Sequence, residues 1–197
     1  TVRSPRLAAK RLNHDFASKF ATNRDRHLGA MYNNPEWMTD APEFEDTNFM
    51  LSALNAYGVL EDDSTKRWAK AFLIAPAIRV IFELSLLALD KSCDEIHLPN
   101  IGVSAKHKEN VSYVHRLFKN NKFQDYLQAG RIVFDTYQEA HSVIENTDFG
   151  ESVEYSSLGS HKSMKDYDID TIMRLSNDAV LFAMLCQQYV QFKKQGV

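Results

Sequence analysis

Residues 65–91 read TKRWAKAFLIAPAIRVIFELSLLALDK, and the placement of apolar side chains along this stretch decides the fold. Drawn as a helix, its apolar residues nearly encircle the axis, and such a helix belongs in the middle of a bundle. Pro76 lies well inside it. A proline there removes one backbone hydrogen bond and predicts a kink or a split into two helices. The window 71–89 approaches the length of a membrane span, but Pro76, Arg79 and Glu83 interrupt it. A charge at mid-bilayer costs roughly 2.5–3.5 kcal/mol on insertion, so a buried core helix is expected, with no membrane partner.

The same period runs outward in both directions. In 4–31, Leu12, Phe16, Phe20 and Met31 form one stripe, and Gly29 with Asn33-Asn34-Pro35 marks its end. A loop, EWMTDAPEFEDTN, leads to a helix through Phe49, Leu51, Leu54 and Leu60. Beyond the central helix, 92–107 reads as a connector containing Pro99, Asn100 and Gly102, and a short helix through Val111, Val114 and Phe118 stops at Asn120-Asn121. Phe123, Leu127, Phe134, Tyr137, His141 and Ile144 predict one further helix, weakened at Gly130. The polar run 146–168 reads as loop with one helical turn. The last helix has acidic Asp166, Asp168 and Asp170 at its start and Lys193 and Lys194 at its end, as the macrodipole favours. Its length of about 25 residues gives a rod of roughly 40 Å. No segment alternates with period two. The expectation is an all-α, irregular bundle of about five to seven helices. It forms one domain over 1–197, with a basic N-terminal helix (1–34) packed on a 45–194 bundle.

Composition sets bounds on function. A chain of 197 residues buries enough surface to need neither disulfide nor metal. A hydrophobic fraction of 44% with 25% charged residues is that of a folded domain. Cys93 and Cys186 show no paired spacing, which fits a reducing, cytoplasmic setting, and no signal peptide is read at the N-terminus. A net charge of −3 argues against general nucleic-acid affinity from bulk charge. The charge is segregated, however. Residues 1–30 carry Arg3, Arg6, Lys10, Arg11, Lys19, Arg24 and Arg26 against Asp15 and Asp25, whereas 35–63 are acidic without one Lys or Arg. Arg6, Lys10 and Arg11 are therefore candidate nucleic-acid contacts. The alternatives are packing of this arm against the acidic segment of its own chain or a second copy, and membrane-surface binding.

Few residues carry recognisable chemistry. Glycine-rich phosphate loops, HExxH and paired Glu-x-x-His motifs are missing from the sequence, and no metal or cofactor is expected. Asp94, Glu95 and His97 form a lone acidic-histidine run in a connector, read as solvated loop. Cys186 lies in an apolar helix and reads as core filling. Arg79 and Glu83 stand four apart on one face of the apolar central helix. Such charges need partners, so the expectation is a structural ion pair between helices or at a dimer face, or an arginine held by Glu83 to bind phosphate or RNA. His141, on an apolar face, reads as a hydrogen-bonded core or interface histidine. His161, in YSSLGSHKS before the last helix, sits where a loop presents side chains to solvent or ligand.

Two of these features together resemble the HEPN-like helical bundles of bacterial defence and toxin–antitoxin systems. Arg79 and Glu83 in RVIFE look like their R-x-x-x-E helix, and Tyr155, Leu158, Ser160 and His161 look like the segment before their last long helix. The likeness spans roughly 65–192. It implies a helical bundle and metal-independent RNA cleavage by an arginine and a histidine four to six residues apart. Here the residues at that spacing before His161 are Tyr155, Ser156 and Ser157, so the pair is missing as written.

The first functional reading is a bundle that acts through contacts, as a homodimer or partner-binding subunit in a prokaryotic or phage conflict system. The enzyme alternative is a ribonuclease using His161 with Arg79 or another arginine, assisted by Glu83. The third is a nucleic-acid-binding module, RNA favoured, using the N-terminal arm.

Overall fold

The computed structural model describes residues 41–57, 64–130, 137–158 and 169–196. A 3-10 turn (Pro42–Phe44) leads into α1 (Glu45–Tyr57), followed by α2 (Ser64–Ser92), α3 (Ser104–Phe118), α4 (Asn121–Gly130), α5 (Tyr137–Asn146), α6 (Phe149–Leu158) and α7 (Ile169–Lys194). These residues are helical throughout apart from connections, with no strand among them. The chain is an all-α helical bundle. No helix among the described residues is long and apolar enough to cross a membrane. The helix expected over 4–31, with Arg6, Lys10 and Arg11, falls outside the described residues.

α7 is the axis of the bundle. Every residue from 175 to 190 is buried, enclosed mainly by α2 and α6, with α4 beside its C-terminal half. α2 runs parallel to it: Phe82 meets Phe182 (centroids 5.1 Å), and Glu95, just beyond α2, pairs with Lys193 near the end of α7 (2.6 Å). α2 is continuous across Pro76, whose ring lies on an exposed side of the helix. Its neighbour Val80 is also exposed, and the encirclement is more complete on α7 than on α2.

α6 runs antiparallel to α7, with Phe149 against Phe182 and Ser152 against Asp178. α3 in turn runs antiparallel to α6. A Cβ on Gly150 would meet Ser112 Oγ at 2.8 Å, so the glycine is what allows this approach. The polar run expected to be loop thus contains a full helix. Its signal was local: Asp148 Oδ1 accepts the Glu151 N–H (2.8 Å), an Asp-x-x-Glu start, and Phe149, Ser152, Val153 and Ser156 share its buried face. Small serines make that face look polar in sequence.

Two other boundaries differ from expectation. α1 begins at Glu45, inside the predicted loop, and α3 begins at Ser104, a turn early. The predicted single helix over 123–144 is two, α4 and α5, which pack against each other. His141 Nδ1 lies 3.1 Å from Gln124 Oε1, whereas seventeen residues of straight helix would part them by about 25 Å. His141 is exposed rather than in the core, although hydrogen-bonded as expected.

Candidate functional site

Among the described residues, two of the polar clusters that interrupt the apolar interior carry charged side chains. The first involves the R-x-x-x-E pair of α2. Among the described residues no ion pair joins Arg79 to Glu83; instead Glu83 Oε2 lies 3.9 Å from Nε2 of His107 on α3. His107 is buried, and its Nε2 is 2.5 Å from the Ile101 carbonyl. A carbonyl only accepts, so Nε2 carries the proton and donates. Nδ1 is buried with no hydrogen-bond partner among the described residues. The imidazole therefore has neither a free proton to give nor an exposed lone pair to take one. Its role here is to hold the 93–103 connector, which Asp90 and Asn110 also anchor through Leu98 N–H (2.8 Å) and the Pro99 carbonyl (3.1 Å).

The second cluster lies between α6 and the N-terminal half of α7. The Asp178 side chain is 1% exposed. Its Oδ2 accepts the Ser152 hydroxyl at 2.6 Å and lies 3.9 Å from Arg174 Nη1, one turn back along α7. Ser156, Ser176 and Asn177 are buried nearby in sequence on the same two helices. A buried carboxylate is tolerable only when compensated in this way. Ser152 is no nucleophile in this arrangement: it is fully buried and an aspartate is too weak a base to ionise it. Arg174 differs, because its side chain is 40% exposed. At 3.9 Å the carboxylate attracts the guanidinium without a hydrogen bond, and the exposed part of the side chain can face a ligand.

The remaining candidates divide clearly. His161 and the Arg6, Lys10 and Arg11 arm lie outside the described residues. Asp94, Glu95 and His97 are exposed in the connector, where Glu95 pairs with Lys193, and no group of three metal-ligating side chains occurs among the described residues. Cys186 is a core side chain, and burial pushes its thiol well above the ordinary range, the opposite of a nucleophile. His115 places Nε2 2.7 Å from the Ile144 carbonyl at the end of α5 and its ring edge-on to Phe149. Burial lowers its pKa.

Sequence reasoning missed Arg174, Asp178, Ser152 and His107. R-x-x-x-D at 174–178 was a legible signal, identical in spacing to the R-x-x-x-E that was noticed. The serine and the histidine carried none, since their partners are distant in sequence. No protein-family model, curated protein or solved structure matches this chain.

Proposed function

We propose that this chain is a helical interaction subunit that self-associates, with Phe49 as an anchor. The observation that carries the reading is the exposure of that side chain, 62%, on α1, whose other face buries Thr47, Asn48 and Leu51. Fully burying a phenylalanine contributes roughly 1.5–3 kcal/mol, and aromatic anchors of this kind dominate interface energetics. Sedimentation velocity on the wild type and Phe49→Asp tests it. The wild type is expected to dimerise in the micromolar range and the variant to dissociate at least tenfold more readily. A wild type that stays monomeric at the highest soluble concentration overturns the reading.

A second reading rests on Arg174. In it the chain is a HEPN-like ribonuclease in which His161, on the segment joining α6 to α7, works with Arg174, which lies beside the buried Asp178 on α7. The support is the placement of a half-exposed guanidinium, 3.9 Å from a buried carboxylate, on the helix that follows the His161 segment. Single-turnover cleavage of RNA without metal should vanish in both His161→Ala and Arg174→Gln. Equal activity in either variant removes this reading.

A further inference from the structure

α1 places an aromatic ring and negative charge on one face. Glu45 and Asp46 stand four and three residues before Phe49, so helical spacing sets both carboxylates beside the exposed ring. Glu43 is exposed in the turn just before them. None of the three carboxylates joins an ion pair among the described residues, and residues 35–63 hold no Lys or Arg. A two-fold contact that stacked one α1 on another would set these acids against their own copies, and like charges across an interface oppose binding. The surface that receives Phe49 therefore needs an apolar group with a cation beside it.

The chain carries such a surface on α3. Tyr113 is 37% exposed, and Arg116, one turn on, lies over its ring with Cζ 5.9 Å from the centroid. Arg116 is exposed and joins no ion pair among the described residues. Its charged neighbours on α3 are already paired: Glu109, one turn before Tyr113, with Lys106 (2.7 Å), and Lys119 with Glu145 (2.7 Å). The other exposed large apolar side chains of the described residues lack this company. Tyr155 follows Glu151 and Glu154; Val80, although next to Arg79, is one turn from Glu83; and the lysine one turn after Val103 is the one that Glu109 holds. We propose, resting on self-association through Phe49, that the contact is heterologous: α1 of one copy docks on α3 of a second, with Phe49 against Tyr113 and Arg116 between Glu45 and Asp46. The tyrosine ring already holds the guanidinium plane, so less freedom is lost when the carboxylates take its N–H groups. Made reciprocally about a two-fold axis, the contact closes a dimer.

Sedimentation velocity of the full chain tests this by exchanging charges. Arg116→Glu in one variant, and Glu45→Lys with Asp46→Lys in another, should each weaken association by roughly tenfold or more, since each sets like charges together. An equimolar mixture of the two variants should associate like the wild type, because each altered surface then meets its opposite. Reversing two first-turn acids also works against the dipole of α1, so the mixture is the decisive sample, and its recovery shows that both variants fold. If Arg116→Glu associates like the wild type, or the mixture stays dissociated, the heterologous contact is overturned while self-association through Phe49 stands. A monomeric wild type overturns both. Recovery when Arg6, Lys10 and Arg11 are all changed to Glu, in place of Arg116→Glu, gives the acidic face to the basic segment and overturns the proposal as well.

Discussion

The two halves of the buried span of α7 reach the same exclusion from water by different physics. Its C-terminal half lies among rings: Tyr189 and Phe192 contact Phe118, Phe123 and Tyr126 at centroid distances of 5.1–6.1 Å. Its N-terminal half carries Ser176, Asn177 and Asp178, all buried, with Ser152 and Arg174 compensating the carboxylate. Apolar burial is non-directional and tolerates small rotations of the helix. Hydrogen bonds are directional, and a misplaced partner leaves a costly orphan. A helix enclosed on all sides has no amphipathic face to set its rotation. Ser152–Asp178 at one level and Asn48–Gln187 (2.8 Å) at another fix that rotation. The rings supply stability, and the buried polar contacts, one in each half, supply register.

The largest expected effect comes from removing the ring on which both halves converge. Phe182 touches Phe82, Phe118 and Phe149 at 5.1, 5.7 and 5.4 Å. Phe182→Ala leaves a cavity there and should cost about 3–5 kcal/mol, lowering Tm by roughly 10 °C or more for a domain of this size. Denaturant titration with a wild-type m-value checks it. A loss below about 1 kcal/mol, well under the usual range for such a truncation, would place the stabilising core elsewhere and break the comparison.

The polar half should respond less in energy and more in precision. Ser152→Ala removes a hydroxyl from a buried carboxylate and should cost about 1.5–3 kcal/mol, as hydrogen bonds to charged groups do. Asp178→Leu should be less damaging in the Ser152→Ala background than alone, because the second change then strands no hydroxyl. A double-mutant cycle measures the coupling. If the two changes simply add, the pair does not act as a key and the helix rotation is set by packing.

The unequal legibility of the sequence follows from the same division. Apolar periodicity is a local property, so the spans of α2 and α7 were readable to within a residue or two, and Cys186 was recognisable as core filling. Directional polar contacts are made between segments far apart in the chain. Glu83 was readable as a charge needing a partner, but that its carboxylate comes 3.9 Å from His107 depends on a connector that folds back along α2. α6 escaped notice because its buried face is half serine, and periodicity measured by hydrophobicity does not register serines that pack by being small. The separation of α4 from α5 was invisible because Gly130 signals weakness without saying whether the chain turns there.

The smallest effect sharpens the comparison at the boundary between the halves, where His115 lies edge-on to Phe149, itself in contact with Phe182. Burial lowers the His115 pKa, the carbonyl of Ile144 and nearby Glu145 and Asp148 opposing that shift and Lys119 reinforcing it. The unfolded chain therefore binds a proton at this residue before the folded chain does. Stability attributable to His115 is fully present above the unfolded value of about 6.5 and is lost as pH falls from there toward the lower folded pKa. Glutamine keeps a donor for the Ile144 carbonyl and cannot titrate. Tm measured from neutral to mildly acidic pH should fall less steeply for His115→Gln than for wild type, and the difference between the two curves isolates this one imidazole from the other six. Parallel curves would mean that the ring is hydrated enough to protonate in place, and that the dry aromatic packing around Phe118 stops short of His115.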